Sequence, residues 1–212
     1  MEKSLAILMA DLSGYTALTE VHGAVSAADL IDRFLEIVED SLVGDSHFHQ
    51  RRGDEVMIIS ESPDHLLSTA LLLLRRSSRE NNFLLLHGGL HYGQVLKRDN
   101  EYFGSTINFT SRIATKAMAG SFWCSKDFYN AVQNKALCHV EPKGMHELKN
   151  ISGEKEVFQI IADQTNFLAI DPICRMLILS PKDAVPHPSD KEVFFCSNNC
   201  LNIYNARRTS GD

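Results

Sequence analysis

No stretch of this chain is both long and apolar enough to cross a bilayer. The apolar-rich run Leu66–Leu74 is interrupted by Ser68 and Thr69 and falls far short of the roughly 20 residues that a spanning helix needs. It reads as a buried helix. A basic excess is also missing: 21 Lys and Arg stand against 27 Asp and Glu, for a formal charge of -6. Broad binding to nucleic acid or to an anionic membrane is thereby excluded, although a nucleotide in a local pocket is not. No basic region and signal-length apolar stretch opens the chain, because Met1-Glu2-Lys3-Ser4-Leu5 runs straight into a strand pattern, and the expected location is the cytoplasm. Cysteine is sparse, with five in 212 residues and Cys174, Cys196 and Cys200 near one end. A disulfide scaffold is excluded at that length, and thiol or metal chemistry is the better reading. Repeats and low-complexity tracts are absent too. What remains is a soluble globular chain, 44% apolar and 23% charged, able to bury one full core and a small annex.

Apolar residues 4–10 predict a first strand. Ser26-Ala27-Ala28-Asp29 predicts a capping box for a helix whose Leu30, Ile31, Phe34, Leu35, Ile37, Val38 and Leu42 recur at helical spacing. Two short strands over 46–60 turn around Arg51-Arg52-Gly53-Asp54, a helix covers about 64–79, and Phe83–Tyr92 reads as a strand. A helix carrying Asn108 and Arg112 follows, with Gly120 as its expected stop. Then come a short strand at Phe122-Trp123-Cys124, a helix from 126 to 133 capped by Ser125, and strands near 137–141 and 156–161. The order β-α-β-β-α-β predicts an α+β, ferredoxin-like fold, an antiparallel sheet backed by helices on one face. Composition shifts at Asp163–Asn166, beyond which four of the six prolines lie. Residues 1–163 are therefore expected to form one domain, and 164–212 a cysteine-containing annex too small to be stable without a staple such as a metal.

Two acidic residues sit where apolar strands meet small or polar turns: Asp11 in Ile7-Leu8-Met9-Ala10-Asp11-Leu12-Ser13-Gly14, and Asp54 in Gly53-Asp54-Glu55-Val56. Such a pair can hold a divalent metal at a cavity mouth. Asn108 and Arg112 are four apart and share one helix face. Carboxylates, an amide and a guanidinium together suit chemistry at a phosphate. His87 and His91 share strand parity and are expected to be packed or half-exposed rather than joint ligands of one metal.

With these motifs in this order, residues 1–162 resemble the catalytic domain of the class III adenylyl and guanylyl cyclases. Ala10-Asp11-Leu12-Ser13-Gly14-Tyr15-Thr16 is similar to the family's first metal-binding strand and turn, and Gly53-Asp54 to its second. Phe103-Gly104 followed by Ile107-Asn108 and Arg112 is similar to the ribose-orienting asparagine and the transition-state arginine. Glu147-Leu148-Lys149 is similar to the lysine that holds the terminal phosphates. The resemblance implies a lyase that converts a nucleoside triphosphate into a 3′,5′-cyclic nucleotide and pyrophosphate. In it Asp11 and Asp54 would hold two Mg²⁺ or Mn²⁺ ions, and the backbone amides of Leu12, Ser13, Gly14, Tyr15 and Thr16 would cradle phosphate oxygens. It also implies a head-to-tail homodimer, the carboxylates coming from one subunit and the Asn-Arg pair from the other. The chain departs from the pattern at Gln50, where adenylyl cyclases carry the lysine that reads adenine, and at Glu101, where its partner is usually Asp or Thr. Asn150 replaces a glycine after the phosphate lysine. The base is therefore open among ATP, GTP and a pyrimidine triphosphate, and a non-catalytic nucleotide-binding or metal-sensing protein of the same fold is the alternative reading.

In the annex, Asp171-Pro172-Ile173-Cys174-Arg175-Met176 and Phe194-Phe195-Cys196-Ser197-Asn198-Asn199-Cys200 together resemble the YHS domain, a small relative of the TRASH metal-binding modules. The resemblance implies Zn²⁺ or a soft metal such as Cu(I) on Cys174, Cys196 and Cys200, with the fourth ligand open between Asp171, His187 and an exogenous group. The competing reading makes these thiols small buried apolar groups. Cys124 and Cys138 are expected in the core of the first domain.

Overall fold

A strand segment that is apolar at every position is stable only if both of its faces are covered, and the Leu5–Ala10 stretch of β1 (Glu2–Leu12) meets that condition, all of it buried. The computed structural model describes residues 1–137, 139–161, 167–174 and 176–209. Cys138, Arg175 and the domain boundary expected near 163 lie outside the described residues. The chain divides into two compact units, Met1–Ala162 and Asp163–Asp212.

In the first unit the elements after β1 are α1 (Tyr15–Ser41), β2 (His47–Arg52), β3 (Glu55–Ser60), α2 (Pro63–Ser77), β4 (Leu86–Arg98), β5 (Glu101–Phe103), α3 (Ser105–Lys116), β6 (Ser121–Ser125), α4 (Lys126–Ala131), β7 (His139–His146) and β8 (Lys155–Ile161). The sheet runs β2-β3-β1-β4-β6-β8-β7, with β5 paired to β4. All of its pairings are antiparallel except β4 with β6, the strands joined by the crossover through α3. The sheet is therefore mixed, an α+β arrangement of strands and helices.

Helices cover both faces, not one as the element order predicted. The odd-numbered side chains of β1, Leu5, Ile7 and Met9, cluster with Met57, Ile59 and Val95, and with Ala114 of α3. The even-numbered ones, Ala6, Leu8 and Ala10, are as deeply buried, and α1 and α2, which pack on each other and on the sheet, cover them. Gly89 brings α3 down onto β4: a Cβ there would lie 2.4 Å from the Ala114 nitrogen and 2.6 Å from the Thr110 oxygen. Only glycine allows so close a helix approach.

The first helix also begins earlier than its capping signal. Ser26 lies inside α1, which starts at Tyr15 after Gly14, whose φ is 93°. A left-handed glycine at the end of β1 turns the chain into the helix, so Ser26 caps nothing, and Gly23 (φ 80°) interrupts the helical geometry. Helix α3 stops at Lys116, before Gly120. Among the described residues, no helix is long and apolar enough to cross a membrane.

His91 lies within this core, 7% exposed, with Nδ1 2.7 Å from Ser125 Oγ and its ring edge-on to Phe109. Burial pushes its imidazole down to about 4. A base with a depressed folded pKa takes up its proton first in the unfolded chain, so its contribution is whole above about pH 6.5 and is lost as pH falls toward 4. About 2–3 kcal/mol of stability is expected to disappear over that window. Urea midpoints at pH 7 and pH 4 for the natural protein and for His91→Gln check this, the variant losing less; equal losses would remove His91 from the explanation.

In the second unit β9 (Ala169–Ile170) pairs with β10 (Leu177–Ile178), and β11 (Val185–Pro186) with β12 (Phe194–Phe195), before α5 (Asn198–Thr209). Strands this short bury little, and the apolar centre is Ile170, Ile178 and Phe195, with Tyr204 stacked edge-on against Phe195.

Candidate functional site

Asp11 lies at the end of β1 directly opposite His87 in the β1–β4 register. Its Oδ1 accepts the Leu12 amide at 3.0 Å, and its Oδ2 is 3.8 Å from His87 Nε2. The other ring nitrogen of His87 pairs with Ser13 Oγ at 2.9 Å, so one imidazole ties the carboxylate to the turn that follows it. Burial pushes His87 below the usual histidine range, which keeps it neutral at pH 7. Asp54 enters from the β2–β3 turn, where Gly53 has φ 64°. Burial first, and then the neighbouring Asp11 carboxyl, push Asp54 up to about 6, with His87 opposing. Two carboxyls held so close repel when ionised, and a hard divalent cation is what relieves them; the oxygen donors fit Mg²⁺ or Mn²⁺.

In the turn, the Leu12 amide is taken by Asp11 and the Ser13 amide by the Leu85 carbonyl at 2.8 Å. Of the amides expected to meet phosphate, those of Gly14, Tyr15 and Thr16 are left, at the start of α1, a helix with no side-chain cap and no acidic residue in its first turn.

Asn108 is exposed and Arg112 half-buried. They lie away from the side of α3 that carries the buried Thr106, Thr110, Ile113 and Ala114, two residues off the Thr110 position and so turned from their own sheet. Neither side chain forms a hydrogen bond or ion pair with another described residue, so neither is held as half of a surface ion pair within the described chain. Lys149 is exposed beside the buried Leu148, on a turn closed by Ile151 donating to the Leu148 carbonyl at 3.0 Å. Asn150 there has φ 64°, a left-handed conformation that asparagine tolerates better than other non-glycine residues; the turn thus survives the loss of glycine. Lys116 lines the same depression as Lys149 and continues the i, i+4 stripe of Asn108 and Arg112. That spacing is legible in the sequence itself.

No family model matches the chain. Over 161 residues it is 32% identical to the pH-sensitive adenylate cyclase MT1302 of Mycobacterium tuberculosis, covering 74% of this chain and 41% of that protein. An adenylate cyclase of Glutamicibacter nicotianae is 26% identical over 167 residues, again with 41% of its length matched. The chain therefore spans about two fifths of these curated relatives. Among solved structures, an adenylate cyclase of Trypanosoma brucei in its monomeric state superposes with a TM-score of 0.69 at 16% identity, over 77% of this chain and 92% of that one. The adenylyl cyclase CyaB of P. aeruginosa gives 0.64 at 18% identity, over 78% and 97%. The first unit is a class III adenylyl/guanylyl cyclase domain.

In this cyclase domain, the side chains of Gln50 and Glu101 do not bond to each other. Gln50 Nε2 donates to Met57 Sδ at 3.5 Å. A bulge in β2 leaves His49 without a register partner, and its ring meets Tyr102 edge-on at 5.0 Å. Burial pushes His49 below its usual range although Glu101 pulls it up, so a neutral imidazole next to Gln50 in the chain lies within electrostatic reach of Glu101. Sequence reasoning missed it because a bulge leaves no local signature.

In the second unit, Cys174 Sγ is 3.5 Å from Cys196 Sγ, which is 3.8 Å from Cys200 Sγ. With a carboxylate oxygen of Asp171 these sulfurs all lie within 4.8 Å of one another, the one such metal-ligand group among the described residues. Hydrogen bonding to Asp171, then burial, then Cys174 push the Cys196 thiol up to about 12, so an incoming cation must displace its proton. His87 and His91 do not converge: the first faces Asp11, the second Ser125. Cys124 is buried in β6.

Proposed function

We propose that the chain is a nucleotidyl cyclase that acts as a homodimer, with a YHS-like metal-binding module as its second unit. The observation that carries the reading is the Asp11–Asp54 carboxyl pair beside an uncapped helix start, at the positions where the class III pattern has its metal ligands. Divalent ions bound there would acidify the ribose 3′-hydroxyl and neutralise the departing pyrophosphate. Gly14, Tyr15 and Thr16 would donate amides to phosphate oxygens, Asn108 would hold the ribose for in-line attack, and Arg112 and Lys149 would meet charge growing on the α-phosphate and the leaving group. The 3′ oxygen forms its bond to the α-phosphorus as the bond to the β-phosphate oxygen breaks, and the hydroxyl proton leaves. Asn108 and Arg112 turn away from the sheet that carries Asp11, which favours a site completed by a second copy. The setting we infer is the cytoplasm, where triphosphates and reduced thiols coexist.

Purified protein given each of the four triphosphates with Mg²⁺ or Mn²⁺ is expected to yield a cyclic product and pyrophosphate by mass spectrometry. No product from any of them at high protein concentration would overturn the reading. Gln50→Lys restores the residue that the family uses for adenine, and kcat/KM is expected to shift toward ATP over GTP by about tenfold, the effect of one good polar contact. An unchanged ratio would move base reading away from Gln50, with His49 the nearest substitute.

A further inference from the structure

Helix α3 meets the turn that carries Lys149 through apolar packing. Ile113 of the helix and Ala117, which follows its last residue, cluster with Leu148, and the half-buried Ile151 packs against the same group. Ala117 and Leu148 each have a lysine beside them in the chain, so this contact carries Lys116 and Lys149 to one rim. Both line a surface depression of about 480 Å³, with Glu147, Asn150 and Gly153 among its other walls. Both are exposed, and neither side chain forms a hydrogen bond or ion pair with another described residue, Glu147 included. Two ammonium groups on one hollow repel each other, and a polyanion relieves them.

A cation in the last helical turn also offsets the carbonyl end of the helix, but that role needs no neighbour on another element. The stripe along α3 gives Lys116 a second role. Asn108, Arg112 and Lys116 stand four residues apart, about 6 Å of helix axis at each step, on one side of the helix. Amide, guanidinium and ammonium thus follow one another in the order of ribose, α-phosphate and terminal phosphates of a nucleotide laid along it.

We propose that Lys116 is a further binding residue, which shares the terminal phosphates of the substrate with Lys149, and that the depression between them is the subsite for the departing pyrophosphate. An ammonium meets phosphate oxygens as a point charge without a fixed angle. Two lysines from separate elements can therefore hold one pyrophosphate group that a single exposed lysine would hold weakly. The inference rests on the cyclase reading of Asn108, Arg112 and Lys149, and its test reads polyphosphate binding without turnover.

The test titrates the full chain, with Mg²⁺, by calorimetry with inorganic pyrophosphate and with the α,β-methylene analogues of ATP and GTP. Lys116→Ala is expected to weaken pyrophosphate and the analogue that binds by about five- to tenfold, as for one lost charge-assisted contact. Lys116→Arg keeps the charge and is expected to bind within about twofold of the natural protein, as is Lys191→Ala, which removes an exposed lysine of the second unit. Equal weakening by Lys116→Ala and Lys191→Ala would reduce the effect to net charge and overturn the proposal. So would an unchanged affinity in Lys116→Ala with a lowered melting temperature, which leaves Lys116 to the helix end alone, and so would failure of the natural protein to bind pyrophosphate. The two readings fall separately. Lys116-dependent pyrophosphate binding without any cyclic product keeps the subsite and removes the cyclase reading, whereas cyclic product with Lys116→Ala unimpaired in affinity does the reverse.

Discussion

Asp54→Ala and Arg112→Ala are each expected to lower cyclase activity at least about 100-fold, and a mixture of the two to recover about a quarter of the natural rate. Asp54 lies in the β2–β3 turn beside Asp11, whereas Arg112 projects from the side of α3 turned away from the sheet. If one site takes its carboxylates from one chain and its guanidinium from the other, a mixed dimer has one intact site and one carrying both lesions. Random exchange makes half of the dimers mixed, which leads to about a quarter of the activity. Activity that stays at background after verified exchange would place the site within one chain. A stability measurement separates a catalytic from a structural loss. Burial and Asp11 raise Asp54 to about 6, so between about pH 4 and 6 the unfolded chain ionises first, and the metal-free fold loses stability as pH rises through that window. Asp54→Asn removes that deficit and is expected to stabilise the metal-free protein at pH 7 by up to about 1 kcal/mol, discounted for partial exposure. A clear fall in its melting temperature would make Asp54 structural instead.

Cys196→Ser is expected to release the metal and to unfold the second unit. Cys196 is the centre of the cluster, within 3.5 Å of one thiol and 3.8 Å of the other. The unit spans Asp163–Asp212, and its strands have two residues each. A domain of that size seldom holds a sufficient apolar core, and metal–thiolate bonding of roughly 10 kcal/mol would outweigh everything else in it. Amide hydrogen exchange across α5, followed in the metal-loaded protein, in Cys196→Ser and after chelation, is the measurement. Slow exchange that persists in α5 without metal would show that Phe195 and its neighbours suffice.

Much of the candidate site is legible in the sequence because its signals are local. An apolar run ending in Asp-Leu-Ser-Gly, a Gly-Asp turn between two strand patterns, and an asparagine four residues before an arginine are properties of neighbouring residues. Backbone periodicity turns each into a position on a face or at an edge. Cys196 and Cys200, four apart at a helix start, belong to the same class. The start of α1 was misjudged for a local reason: Ser26 looked like a cap, whereas the left-handed Gly14 had already begun the helix.

What only the tertiary structure decided involves pairs distant in the chain. Strand parity cannot show that His87 faces Asp11 rather than sharing a metal with His91, because that depends on the β1–β4 register. The bulge that inserts His49 beside Tyr102 is a property of two strands at once. Whether helices cover one face of the sheet or both turned on α3 settling onto Gly89, and the Asp171 carboxylate gathers amides 2, 3 and 25 residues away. Local chemistry thus named the groups proposed to hold metal and phosphate, and long-range packing, which no short window of sequence contains, determined what each of them faces.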